Sequence, residues 1–301
     1  NATNEILLDM TFLEGNLTTG HRTSIRSGLP TPTWRKLYGG VQPTKSRAVQ
    51  VTDNTGMMED YSEVDKALVE MAGNPAAFRL QEDRPHIEGM NQEFASTLFY
   101  GDESTAPEEF TGLSARYNSL SAENGDNIIA GGGSGSDNAS IWLICWGPNT
   151  CHGIIPKGSK AGVQQRDLGE VTLENADGAN GRMQAFRTHY RWDVGLSVRD
   201  WRYAVRIANI DRSALTFNAA SGADLNDLMH QAWTEIPNTS MGRSAWYMDK
   251  SILSMLRRQT SSAVSSSTLT TDIVGGTMQT SWGGIPIRRC DALRGNEATV
   301  S

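Results

Sequence analysis

"STLFYGDESTAPEEFTGL" (residues 96–113) decides how this chain is read. Apolar residues run at helical spacing up to Phe99-Tyr100 and stop at Gly101-Asp102. An acidic, proline-containing loop follows, and apolar residues return at Phe110 and Leu113. The stretch is the end of a long helix. Its start is equally plain upstream, where Asn74 is a natural N-cap and Pro75 a natural first helical residue. Between these ends Ile87, Met90, Phe94 and Leu98 keep helical spacing. Residues 75–100, if continuous, span about 39 Å at about 1.5 Å per residue. Pro85 removes a hydrogen bond and disfavours the α region at Arg84, which predicts a kink or break near 81–85.

Working towards the N-terminus, Tyr61, Val64, Leu68 and Met71 fall on one helical face, which predicts a helix from Met58 closed by Gly73. Residues 21–56 read as a long hairpin, with β-favouring flanks around turn signals at Tyr38-Gly39-Gly40 and Gln42-Pro43. An isolated two-stranded hairpin is at best marginally stable in water. This one needs a surface to lie on, either its own domain or a neighbouring subunit. Residues 1–20, with Ile6, Leu7, Leu8, Met10, Phe12 and Leu13, read as an apolar arm. The chain opens on Asn1 in mid-pattern, and a preceding segment is expected.

Towards the C-terminus, residues 119–139 are rich in Gly, Ser and Asn and read as loop. Their glycine run precedes a strand, "IWLICWG", where a phosphate loop needs a helix opened by Lys-Ser/Thr. In residues 186–211, Phe186, Thr188, Tyr190 and Trp192 share one face, Gly195 allows a bend or bulge, and Trp201, Tyr203, Val205 and Ile207 share the next. Arg187, Arg191, Arg202 and Arg206 take the opposite face, either solvated or gripping carboxylates of another chain. Leu225, Leu228, Met229, Ala232, Trp233 and Ile236 stripe a helix ended by Pro237. "SAWYM" is a strand, Asp249 caps a helix over 250–259, a Ser/Thr loop runs to about 283, and "GGIPIRRC" is a last strand. The class is α+β.

The chain has 301 residues, enough for one elaborate domain or two ordinary ones, and a net charge of −7 that argues against a nucleic-acid binder. No apolar run approaches the ~20 residues of a membrane span. Three cysteines make no disulfide framework and read as free thiols in a reducing cytoplasm. Five scattered histidines lack metal-site spacing, no Gly-x-Ser-x-Gly elbow is present, and the adjacent Glu108-Glu109 make no acid pair. No catalytic, cofactor-binding or metal-binding residue is expected.

Leu98, Tyr100, Gly101, Asp102, Gly112 and Leu113 resemble the end of the spine helix in tailed-phage major capsid proteins of the Hong Kong 97 fold. The blocks "TGHRTSIRSGLPTPTWR", "EDRPHIEGMNQEFASTLFYG", "GIIPKGSKAG", "THYRWDVGLSVRDWRYAVRIANID" and "GGIPIRRCDA" resemble most the subfamily that includes the Bordetella phage type. The resemblance implies an N-terminal arm (1–20), an E-loop hairpin (21–56), a peripheral domain (57–211, with loop 119–139) and an axial domain (212–301). It also implies a rewired segment order, because the long strands precede the α/β unit. The implied function is a subunit assembling into pentamers and hexamers of an icosahedral head that encloses dsDNA. The runner-up is another virion component, such as a decoration or tail protein. Portal and scaffolding proteins, and a cement protein, are implied partners; DNA lies on the inner face without sequence-specific binding, and no membrane takes part. The implied location is the virion, after synthesis in the host bacterial cytoplasm. Interface residues are then expected at Trp34, Arg35, Lys36, Tyr38, Lys45 and Arg47 of the hairpin, and at Arg187, Arg191, Arg202 and Arg206. Some members of the fold weld subunits through an E-loop lysine and an asparagine. Lys36 and Lys45 lie in the hairpin, but no partner asparagine or assisting carboxylate can be matched.

Overall fold

The computed structural model describes residues 5–174, 178, 180–262, 269–274 and 277–301. The expected N-terminal arm is folded onto its own chain from residue 5. It forms α1 (Ile6–Asp9) and β1 (Phe12–Glu14), the latter parallel to residues 153–155. Ile6 and Met10 are buried. Asp9, also buried, accepts from the Arg288 guanidinium at 2.8 and 3.0 Å and from the Tyr247 hydroxyl at 3.2 Å. Apolar burial and a paired carboxylate outweigh the freedom of a loose arm.

The hairpin is present as β2 (Gly20–Gly28) and β3 (Arg47–Asp65), paired antiparallel from Gly20↔Asn54 onward. The helix expected from Met58 is not: β3 continues to Asp65, and its second half pairs with residues 185–195. The true period there is two. Met58, Asp60, Ser62 and Val64 turn inward while Met57, Glu59, Tyr61 and Glu63 stay exposed. Only α2 (Lys66–Met71) is helical, capped by Asp65, whose carboxylate accepts from Ala67 N at 2.9 Å.

The helix that opened the sequence reading is α3 (Pro75–Tyr100), 26 residues with Asn74 accepting from Ala77 N at 3.2 Å. It runs on through Pro85, so the expected break is absent. Pro85 and Gln81 are both exposed, so the carbonyl that loses its partner is left to solvent. The C-terminal half buries Met90, Phe94, Leu98 and Phe99. Gly101 ends it as the C-cap, with ψ of 138°, and a Cβ there would lie 2.7 Å from Thr97 O. The acidic loop is then closed by Gly112 N donating to Gly101 O at 2.8 Å, and Phe110 and α4 (Leu113–Arg116) return to the core.

Five strands follow: β4 (Ile128–Ala130), inside the stretch expected as loop, β5 (Asn138–Trp146), β6 (Cys151–Ile155), β7 (Gln164–Glu174) and β8 (Arg182–Val198). Then comes β9 (Ala204–Asp211), which pairs parallel with β4 and antiparallel with β5. Gly195 makes no bulge. It pairs with Thr55 of β3 on one edge of β8 and with Ile154 of β6 on the other, and a Cβ would lie 2.7 Å from Asn54 O.

The C-terminal third has α5 (Leu225–Glu235), β10 (Arg243–Met248) and α6 (Lys250–Ser262). Asp224 caps α5, and Asp249 caps α6 by accepting from Ser251 N at 3.0 Å. The expected α5 stripe is buried except Trp233, which is 45% exposed. The expected Ser/Thr loop instead contains a hairpin, β11 (Leu269–Val274) and β12 (Thr277–Trp282); residues 263–268 and 275–276 lie outside the described residues. The last strand, β13 (Ile285–Arg289), runs parallel to β10.

Among the described residues the strand order β11-β12-β13-β10-β5-β6-β8-β3-β2 makes one mixed sheet of 13 strands, with β1, β4, β7 and β9 off this path. β5 is buried on both faces, as its unbroken apolar run requires. Trp142, Ile144 and Trp146 join the cluster under α3. Ile141, Leu143 and Cys145 join the cluster holding α5 and α6. The expected boundary between 211 and 212 is therefore crossed by the β5–β10 pairing and by a shared core.

Candidate assembly interface

The hairpin has a fixed root and a bare tip. At the root, the buried Asp53 carboxylate accepts from Arg116 Nη1 at 2.8 Å and Ser197 Oγ at 2.7 Å. Asn16 and Arg22 exchange two hydrogen bonds of 2.8 Å, and Asn54 donates to Glu103 of the acidic loop. Beside the root an open cleft of about 590 Å³ is lined by Thr18, Met57, Lys157, Lys160 and Arg191 among others.

Beyond the root the chain leaves its body. Every residue from Leu29 to Gln50 except Gly39 is exposed. Trp34 and Tyr38 reach 102% and 107% exposure, with Leu29 and Leu37 nearly as bare. The tip turns at Tyr38, whose φ of 62° is a left-handed conformation, and Gly39 N donates to Lys36 O at 3.0 Å. Arg35, Lys36, Lys45 and Arg47 have no ion-pair partner among the described residues. The six hairpin residues that the sequence singled out thus stand together on one unsupported limb.

The four arginines of the expected face are engaged within the chain. Arg187 pairs with Glu63 at 2.6 Å, Arg191 with Asp193 at 3.0 Å, and Arg202 grips Asp200 through two bonds of 3.0 and 2.8 Å. Arg206 is only 3% exposed and is corrected from interface to interior. It donates to Tyr117 O at 2.7 Å and Ser140 Oγ at 3.1 Å, and pairs with the buried Glu297 at 2.7 Å. Glu297 also accepts from the Tyr100 hydroxyl, so the end of α3, β9 and the C-terminal segment share one buried polar knot. Burial and the neighbouring Glu297 push the Tyr100 hydroxyl up.

Buried titratable groups are tuned towards silence. Burial pushes the thiols of Cys145 and Cys151 up and that of Cys290 up to about 12, the opposite of what a nucleophile needs. Burial also lowers the His152 imidazole to about 4, with His21, whose ring centroid lies 5.9 Å away, adding to it. No group of three metal-ligating side chains gathers among the described residues. No helix among them is long and apolar enough to cross a membrane. Nothing local in the sequence marks the Asp53–Arg116, Asp9–Arg288 and Arg206–Glu297 pairs, whose members are far apart along the chain. The only hint is a charge set among apolar neighbours, as at Asp9 and Arg206.

Over residues 1–301 the chain matches the family described as major capsid protein GP7. The solved structure of bacteriophage Epsilon15 is similar at 38% identity and TM-score 0.73, covering 100% of this chain and 90% of that one. The capsid of bacteriophage JBD30 is similar at 8% identity and TM-score 0.48, covering 85% and 82%. A native GTA particle capsid is similar at 7% identity and TM-score 0.48, covering 69% and 90%. No curated protein matches the chain.

Proposed function

We propose, from the premise that this chain belongs to the family of the major capsid protein GP7, that its hairpin tip is the limb by which each subunit is completed by the next. The chain is a major capsid protein of a tailed phage. In our reading its copies close into pentamers and hexamers of an icosahedral head around packaged dsDNA. The observation that carries this is the bare tip from Leu29 to Gln50. Trp34 and Tyr38 alone offer roughly 400 Å², worth about 10 kcal/mol gross on burial. Fixing one subunit against another costs about 4–15 kcal/mol. A single tip contact is therefore marginal, and several made at once in a closed symmetry are strong.

The parts fit the Hong Kong 97 plan, with the hairpin (21–56) as E-loop, 57–211 as peripheral domain and 212–301 as axial domain. The core favours one amendment, since β5 and β9 pack under α5 and α6 and belong to both domains. The late position of β13 supports a rewired segment order, and the sequence blocks resemble those of the subfamily that includes the Bordetella phage type. Arg35, Lys36, Lys45 and Arg47 join Trp34 and Tyr38 in the contact; Arg187, Arg191 and Arg202 contribute at most their exposed edges. A net charge of −7 suits an inner wall that releases DNA while it is packaged. Portal, scaffolding and cement proteins complete the particle, assembled in the host cytoplasm.

Electron microscopy of the expressed chain tests this: closed shells or capsomers are expected, and a persistent monomer would refute it. Trp34→Ala, or deletion of 36–45, should leave the subunit folded while blocking assembly. Unfolding of these variants would place the hairpin in the subunit's own core instead.

A further inference from the structure

The lobe holding α5 and α6 carries two mismatched ends. The α5 end attracts cations. Its last turn has no basic residue, and among the described residues the C-cap Ile236 makes no capping backbone bond, so the negative end of the helix dipole is open there. Trp233 is 45% exposed there without a ring partner, and the exposed Glu235 has no hydrogen-bond or ion-pair partner among the described residues. The α6 end supplies cations. Towards its C-terminus that helix has Arg257 and Arg258, both exposed, and it carries no acid. Arg257, Arg258 and Ser261 line an open cleft of about 570 Å³ with Phe217, which is 53% exposed. Arg258 is unpaired among the described residues, and Arg257 reaches only Thr280 Oγ1, at 2.7 Å. Within one chain the two ends form no hydrogen bond, ion pair or cation–π contact among the described residues.

We propose that the α6 cleft of one subunit receives the α5 end of a second copy. Trp233 enters beside Phe217 under the guanidinium groups, and Arg258 meets Glu235 and the open carbonyls. A guanidinium over an indole face, with a carboxylate beside it, is a specific pairing for arginine. Because donor and acceptor surfaces lie at different ends of the lobe, the contact is heterologous and repeats around a ring. The inference rests on the shell reading above but is separable from it. The hairpin tip can complete a neighbour whether or not this second contact exists.

The test uses the full chain in its assembled form. Arg258→Glu and Glu235→Lys should each lower the yield of closed shells at least tenfold, Trp233→Ala likewise, and the double charge exchange should restore it. In a second measurement, Glu235→Cys and Arg258→Cys together should, on mild oxidation, give a ladder of covalent oligomers on a denaturing gel. The native cysteines are buried and stay out of the reaction. Shells at normal yield from all three single variants, or a ladder no longer than that of the unmodified chain, would overturn the proposal and leave the shell reading intact. If the unmodified chain forms no shells, both fall.

Discussion

Acid should unfasten this subunit earlier than its carboxylates alone would, through one imidazole. His152 on β6 is 1% exposed, and its burial lowers it to about 4. In an unfolded chain the same ring binds its proton near pH 6.5. Between those values the unfolded state holds a proton that the folded state refuses. Stability fully present above pH 6.5 therefore drains as the pH falls and is lost by about pH 4. At about 1.4 kcal/mol per pH unit, roughly 2 kcal/mol is gone by pH 5 and roughly 3 by pH 4. The titratable groups acting on the ring are His21 and Arg199, which oppose its protonation, and Asp53, which favours it. The assay is urea unfolding of the unassembled subunit at pH 7.5, 6, 5 and 4, with His152→Phe beside it. The variant keeps the carboxylates but cannot titrate at 152, so their acid lability largely cancels in the difference. The expected result is a gap between the two proteins that moves by about 2 kcal/mol in the variant's favour from pH 7.5 to 5. Parallel pH profiles would refute the reasoning, because Asp53 would then be offsetting the burial.

Three further perturbations probe the fold. Phe94→Ala removes a fully buried ring whose centroid lies 4.6 Å from that of Trp192; a loss of about 3–5 kcal/mol is expected from the urea midpoint, and a loss under about 1 would contradict the packing. Glu297→Gln leaves Arg206 buried and uncompensated, so a similar loss of about 3–5 kcal/mol should appear in the same measurement. Gly153→Ala places a methyl 2.5 Å from the Phe12 ring and 2.8 Å from Met10 Cε. Limited proteolysis should then cut near residues 5–15 in the variant while the remainder resists, whereas an unchanged digest would mean that the segment does not pack as described.

What could be read from the sequence divides along a physical line. The ends of α3 were legible because Asn74, Pro75 and Gly101 act within one turn, through local hydrogen bonds and sterics. Pro85 does not break the helix because its penalty depends on where the orphaned carbonyl points, and here that side is solvent. Residues 58–65 misled because the inward set includes Asp60 and Ser62, which hid a period of two behind an accidental spacing of Tyr61, Val64, Leu68 and Met71. The strands β11 and β12 were hidden by their Ser and Thr content, since pairing, not apolar alternation, defines them.

The charged residues sharpen the same point. Arg206 shares its alternation with Arg187, Arg191 and Arg202, but the turn at Arg199–Tyr203 separates β9 from β8 and resets which way each side chain faces. Its partner Glu297 lies 91 residues further on, so no local pattern could have announced it. The N-terminal segment is parallel. Its apolar content was visible, but its seat is made by Arg288, 279 residues from Asp9, and by the bare backbone of Gly153. The hairpin tip is the opposite case. Leu29, Trp34 and Leu37 lead into the turn signal at Tyr38-Gly39-Gly40 with no stripe to join, so their lack of a home is itself a local property. A sequence can therefore declare which surface is unfinished well before it declares what finishes it, because exposure follows from missing neighbours in the segment while a receiving site is assembled from distant ones.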